Sequence, residues 1–167
     1  MKTYLINSVR FIILVLVQVL ILSHFEIFGY INPYIYPLLI ILLPFNIGSV
    51  QKLFLAFALG ICIDFFEDSG GIHAAATLTI AYLRPILLRN AFGLSYDNQT
   101  LRFYDAPFKS RFIYVSLMVL VHHSVLFVLE IFSFNHLIYL SEKIIYSSVF
   151  SILLSIIILN LIRKNSK

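Results

Sequence analysis

The chain alternates long apolar runs with short polar interludes, and six runs predict membrane-crossing helices: residues 11–28, 34–48, 50–66, 71–88, 112–133 and 143–162. A helix rising about 1.5 Å per residue needs about 20 apolar residues to cross a hydrocarbon core of about 30 Å. The second and third runs are short. They predict a hairpin that either spans thinly or re-enters, and the sidedness of the other runs is the same in both cases. Pro33 and Pro37 suit the entry of the second run, where a missing amide donor costs little, while Pro44 predicts a kink or stop before Gly48. The opening MKTYLINSVRFIILVLVQVLILSHF places Lys2 and Arg10 ahead of an apolar core, as a secretory signal does. That core outruns the ~7–15 residues of a signal and meets no small-x-small site, so an uncleaved first span is expected.

Polar residues inside the runs carry the next layer of information. Asp64 lies near the end of the third run, and Ala56, Gly60 and Asp64 at i, i+4 and i+8 form one stripe. Small residues at that spacing mark faces where membrane helices approach closely. A carboxylate facing lipid is unfavourable, by about 2.5–3.5 kcal/mol at a helix centre and less towards the ends, so Asp64 is expected to face protein or water. Its expected partners are the helix N-terminus opening near Gly71 and, at the same end, His73; Arg84 lies at the other end of the fourth run. Asp68 and Ser69 are expected to cap that helix, with Gly70 and Gly71 making the turn.

In the fifth run Ser116, His123 and Glu130 stand seven apart, each rotated by only ~20° from the last, which makes one polar interior stripe with His122 beside it. Two readings remain open for it, a proton or ligand path and a buried polar seam that holds the bundle together. Ser147, Ser151 and Ser155 form another close-packing face in the sixth run, turned either inward or towards a partner helix.

Composition decides the solvent. Apolar residues make up 60% of the chain and charged ones 12%, against about 45–50% and about 25% in soluble domains. The expectation is one integral membrane domain over residues 1–167, all-α, a polytopic bundle of about six transmembrane helices. With the N-terminus inside, the predicted inner segments 1–10, 49–52, 84–111 and 163–167 hold 11 of the 12 Lys and Arg residues, leaving only Lys143 outside. Basic residues accumulate on the cytoplasmic side, so both termini and the loop 89–111 are expected there. The net charge of +4 then belongs to membrane-surface electrostatics, with membrane lipids as its partners and no nucleic acid implied. Tyr96, Phe103, Tyr104 and Phe108 in that loop are expected at headgroup level.

Catalytic and cofactor motifs are missing from the sequence: there is no H-E-x-x-H, no G-x-S-x-G and no phosphate-cradling glycine loop. The single cysteine, Cys62, excludes a disulfide or a multi-cysteine metal site within the chain. No catalytic, cofactor or metal residues are therefore expected, and the chain reads as a non-enzyme.

The run LGICIDFFEDSGGIHAAATLTIAYLRP resembles the signature of the rod shape-determining protein MreD family, a Gly-x-x-x-Asp helix end followed by a short turn, a glycine and a helix closing on Tyr-Leu. The matching positions are Gly60, Asp64, Gly71, Tyr82 and Leu83. The turn reads Ser69-Gly70-Gly71 where the family commonly has Pro-Leu-Gly. Length, span number, NPYIYPLLIILLPF and HHSVLFVLEIFSF also look like the Bacteroidota branch, and the resemblance covers essentially the whole chain. It implies a multi-pass subunit of the elongation (Rod) machinery in the bacterial inner membrane, one that maintains rod shape in peptidoglycan synthesis. Its implied partners are an MreC-like bitopic protein and, indirectly, the MreB filament, a RodA-type glycosyltransferase and its transpeptidase. It also implies a bundle similar to the substrate-binding subunits of energy-coupling-factor transporters, which supplies the alternative: a substrate-binding membrane subunit for a vitamin-type molecule. Under the scaffold reading, Ala56, Gly60, Asp64, Gly71, His73, Tyr82 and Arg84 are the helix-packing or partner-binding candidates.

Overall fold

The computed structural model describes residues 2–24, 31–93, 96, 103–132 and 137–164. Among them there is no β-strand. The helices are α1 (Lys2–Leu20, extended by a 3-10 turn, Leu22–His24), α2 (Leu38–Leu42), α3 (Ser49–Glu67), α4 (Ile72–Phe92), α5 (Phe108–Ile131) and α6 (Leu137–Lys164). Among the described residues four stretches are long and apolar enough to cross a membrane: Leu5–His24, Ser49–Glu67, Phe108–Ile131 and Leu137–Ile162. α4 has the length, 21 residues, but Arg84, Pro85 and Arg89 interrupt its apolar character.

The second run departs from its expected helix. Ile31 to Tyr36 lies outside any helix, α2 starts after Pro37 and lasts five residues, and Leu43 turns extended (ψ 147°) immediately before Pro44. Proline removes an amide donor and pushes the preceding residue out of the helical region, so three prolines in twelve residues leave room for little more than one turn. The cost is a set of backbone groups with no helical partner, and side chains from neighbouring helices supply the missing bonds. The Asn32 amide donates to Ser147 Oγ at 3.2 Å, Tyr34 to Ser151 Oγ at 2.9 Å and Ile35 to Gln18 Oε1 at 3.0 Å. Irregular backbone at membrane depth is tolerated only where protein encloses it. Tyr36 and Leu38 to Ile41 are accordingly among the most buried residues of the chain.

Around this segment the other helices pack in sequence order, α3 on α4, α4 on α5 and α5 on α6, with α1 laid more loosely against α2 and α3. The usual inside-out rule is partly inverted. Ser147, Ser151 and Ser155 of α6 and His122 and His123 of α5 are buried, whereas Leu16 and Leu20 of α1 and Ile145, Leu153, Ile157 and Leu161 of α6 stand exposed. Hydrocarbon as solvent explains both: apolar surface has nothing to gain by leaving it, while polar groups must find partners inside. The serine face of α6 is thus turned inward, onto the irregular segment.

α3 and α4 form a tight antiparallel hairpin. Gly60 is its closest point, because a Cβ there would stand 2.3 Å from the Cα of Ala74 and 2.5 Å from Thr77 Oγ1. The turn between them uses the left-handed region three times, at Asp68 (φ 51°), Gly70 (φ 66°) and Gly71 (φ 99°). Two of those positions are glycine, the residue that adopts it without steric penalty.

Candidate functional site

Asp64 ends α3 within reach of the start of α4, and its carboxylate caps that helix. Oδ1 accepts from the His73 amide at 2.9 Å and from Ser69 Oγ at 2.6 Å, and Oδ2 accepts from the Ala74 amide at 2.9 Å. First-turn amides of a helix lack internal partners and carry the positive end of its dipole, so a carboxylate there is doubly favoured. The expected partners of Asp64 are the observed ones. The expected cap differs: Gly71 occupies the N-cap position with no side-chain cap, Asp68 is the exposed C-cap of α3, and Ser69 serves Asp64. The physical reason is reach, since the deeper carboxylate meets two amides at once.

From this end a chain of polar side chains runs into the bundle. Glu67 accepts from Ser23 Oγ and, at 3.0 Å, faces His73 Nε2. His73 Nδ1 and His122 Nε2 each lie 2.7 Å from the Tyr36 hydroxyl. His122 Nδ1 is 3.5 Å from His123 Nδ1, which lies 2.9 Å from the Val119 carbonyl, and His123 Nε2 is 3.0 Å from Ser151 Oγ.

The partners assign the protons. A carbonyl and a carboxylate only accept, so His123 carries its proton on Nδ1 and His73 on Nε2. With His73 Nδ1 as the acceptor from Tyr36, the Tyr36 oxygen accepts from His122 Nε2 and His123 Nε2 accepts from Ser151. In this set of roles every group has a partner, and donation runs in one direction from His122 through Tyr36 and His73 to Glu67. Aromatic edges reinforce the cluster, with Tyr34 in T-shaped contact with Tyr36, His73 and His123 at centroid distances of 5.9, 5.5 and 5.6 Å. The arrangement can brace the irregular segment and can pass a proton along aligned bonds. It opens into a cleft of about 560 Å³ bordered by Asn32, Glu67, Asp68, Ser69, His73 and Glu130.

The opposite end of the hairpin is basic. Arg84, 2% exposed, donates from Nε to the Tyr114 hydroxyl at 3.1 Å, from Nη1 to the Pro44 carbonyl at 3.1 Å and from Nη2 to the Leu43 carbonyl. Its guanidinium also lies over the Phe45 ring, 5.5 Å from the centroid. Arg84 is therefore the clasp that ends the irregular segment, satisfying carbonyls that α2 is too short to use.

The sequence candidates separate into groups. Ala56, Gly60 and Asp64 are buried in the α3–α4 hairpin, Gly71 makes its turn, and His73 joins Asp64 to the central chain. A stripe already covered by α4 offers no free face to a partner helix. Tyr82 is 72% exposed on α4 and touches none of these groups. The stripe Ser116, His123, Glu130 is not a continuous interior seam. His123 is fully buried, Ser116 Oγ is enclosed without a hydrogen-bond partner among the described residues, and Glu130 lies exposed, paired with Lys143 at 2.7 Å. A straight helix drifts across seven-residue steps, and α5 buries His122 together with His123.

Tyr36, Gln18, Ser23 and Glu67 were not singled out as members of a common site. Gln18 in the middle of the first apolar run was a readable signal, since an amide at that depth requires a partner. Among the described residues no three His, Cys, Asp or Glu side chains converge as a metal-binding group. The loop residues 94, 95 and 97–102 lie outside the described residues. No protein-family model matches the sequence, and no curated protein or solved structure shows significant similarity to it.

Proposed function

We propose that this chain is a non-enzymatic inner-membrane subunit of the bacterial elongation (Rod) complex. It crosses the membrane six times with both termini cytoplasmic and scaffolds an MreC-like bitopic protein, and through it the MreB filament, the RodA-type glycosyltransferase and its transpeptidase. The observation that carries this reading is the Gly60 to Leu83 run. Its resemblance to the MreD signature rests on Gly60, Asp64, Gly71, Tyr82 and Leu83, and the first three of these build the α3–α4 hairpin. A signature that encodes a helix-helix clasp and a turn suits a scaffold, because it specifies shape and leaves no reactive group exposed.

Partner contact then falls on surfaces the hairpin leaves open. Tyr82 and Ile86 of α4, 72% and 56% exposed, project away from the core. The apolar flanks of α1 and α6 are similarly uncovered. In a bilayer such faces meet either lipid or another membrane helix, and packing decides between them.

The alternative, a substrate-binding subunit of a vitamin-type transporter, is favoured by one feature, the polar cleft of about 560 Å³ between Asn32, Glu67 and Glu130. Depletion in the source bacterium separates the two. The scaffold reading expects rounded cells, rescued by the wild-type chain and rescued poorly by Tyr82→Ala despite normal membrane levels. Rods that stay normal under depletion, with loss of uptake of one nutrient, would replace it with the transporter.

A further inference from the structure

The early turns of α1 and α3, with the turn after α2, bound a cleft of about 700 Å³ that shares no wall with the central polar chain. α1 and α3 run parallel, since their beginnings face each other across this cleft while Ser23 and Glu67 tie their far ends together. Both belong to stretches long and apolar enough to cross a membrane, so depth along one matches depth along the other.

The lining changes character with that depth. Asn7 of α1, Gln51 of α3 and Asn46 of the turn form a collar of amides at one level. One helical turn further on, about 6 Å deeper, Phe11 follows Asn7, while Phe54 and Leu55 follow Gln51. None of the three amide side chains has a hydrogen bond among the described residues. Each carries two donors and an acceptor, so the collar has bonding capacity that the protein leaves unused. Among the described residues no charged side chain lines the cleft. Its flank opens sideways, because Phe54 in its wall is 69% exposed.

We propose that this cleft binds one molecule of a diacyl glycerolipid, its ester carbonyls accepting from the amide collar and one acyl chain lying along Phe11, Phe54 and Leu55. Such a lipid changes from ester to methylene over the same short distance, where the interfacial region gives way to hydrocarbon. The volume lies within the range of about 300–1,000 Å³ in which small molecules are held, and a mostly apolar wall with a few polar groups is the usual lining. A free fatty acid would bring a carboxylate with no cation in the lining to meet it. A membrane helix, about 10–12 Å across, could insert only about one or two turns into such a volume, whereas an acyl chain is slender enough to follow its length. With an uncharged lining, the site reads the ester region and is indifferent to the charge of the headgroup. The inference is independent of the scaffold reading, and its test uses the purified chain alone.

That test follows thermal unfolding of the full chain, purified in neutral detergent and stripped of lipid, as lipids are added. Dioleoyl phosphatidylcholine and dioleoyl phosphatidylglycerol are expected to raise the melting temperature by the same several degrees. The diether analogue of the phosphatidylcholine, which lacks ester carbonyls, should bind severalfold more weakly. Asn7→Leu combined with Gln51→Leu should abolish that preference for ester over ether. Phe54→Ala should weaken both lipids severalfold, and it decides the matter if the double variant fails to fold. A phosphatidylcholine with a diazirine in its acyl chain should label the peptides holding Phe11 and Phe54 in preference to the exposed face of α6 at Leu153 and Ile157. Equal affinity for ester and ether lipids, a response confined to phosphatidylglycerol, or an unchanged affinity in Phe54→Ala overturns the proposal. Labelling spread evenly over the exposed helices assigns the stabilisation to the general lipid annulus and overturns it too.

Discussion

Gly60→Ala is the smallest change that strains the hairpin. The new methyl carbon would stand 2.3 Å from Ala74 Cα, 2.6 Å from Ala74 N and 2.5 Å from Thr77 Oγ1. Two of those atoms are backbone, so no rotamer change relieves the overlap. Carbon atoms settle about 3.5–4.0 Å apart, and α3 and α4 must therefore part by about 1 Å or more. One turn further on, Asp64 accepts from the His73 and Ala74 amides at 2.9 Å each, and both bonds lie across the same interface. Lengthened by about 1 Å they cease to be hydrogen bonds. Overpacking alone costs about 1–3 kcal/mol, and losing a bond to a charged acceptor costs about 1.5–3 kcal/mol, so with both bonds lost a total of at least about 4 kcal/mol is expected. At about 2–4 °C per kcal/mol for a chain of this size, the melting temperature in mild detergent should fall by at least about 8 °C. Gly48→Ala is the control, since its Cβ would meet nothing closer than the movable Gln51 side chain at 3.7 Å. Gly60→Ala combined with Asp64→Asn should cost less than the sum of the two, because they act on one interface. A Gly60→Ala protein as stable as wild type, or strictly additive costs, would refute the hairpin as described.

Other expectations follow from the same contacts. Tyr36→Phe removes the hydroxyl between His73 and His122 and strands two buried nitrogens, at about 1–3 kcal/mol for each orphaned group; unfolding measures the loss, and nitrogen-15 shifts of His73 should show its Nε2–H tautomer destabilised, with unchanged shifts contradicting the proton assignment. Arg84→Lys should not rescue Arg84→Met, because an ammonium cannot hold the Leu43 and Pro44 carbonyls and the Tyr114 hydroxyl in the geometry of a planar fork; equal stability of Lys and Arg at 84 would sink the clasp. Glu130→Gln should shift stability by about 1 kcal/mol or less, as the partner Lys143 sits in a pair whose carboxylate is exposed; a large loss by the same assay would return Glu130 to the interior.

The parts of this architecture that were legible in the sequence are those governed by local spacing. The stripe Ala56, Gly60, Asp64 announced a close helix face because three positions four apart must share a side, and the turn at Gly70 and Gly71 announced itself by composition. The polar residues of α5 and α6 were likewise visible, as polar groups in apolar runs. What spacing could not show was the path of residues 31–43. Its apolar character promised a helix, and only the density of prolines argued otherwise. Tyr36 joins His73 and His122 across separations of 37 and 86 residues, and no periodicity encodes a contact that long. Arg84 was placed at the correct end of α4, but its role was hidden for the same reason, since two of its three partners are carbonyls, which carry no sequence signature at all. The heptad stripe in α5 failed at Glu130 because seven residues do not make two whole turns, and the drift carried it towards the surface.

The most direct test of the scaffold account is affinity purification of the tagged chain from mild-detergent membranes, with mass spectrometry of co-purifying proteins and small molecules. The account expects an MreC-like bitopic protein together with cell-wall synthases, with less of the bitopic protein recovered when Tyr82 is replaced by alanine. A stoichiometric vitamin or an ATPase module in their place would contradict it.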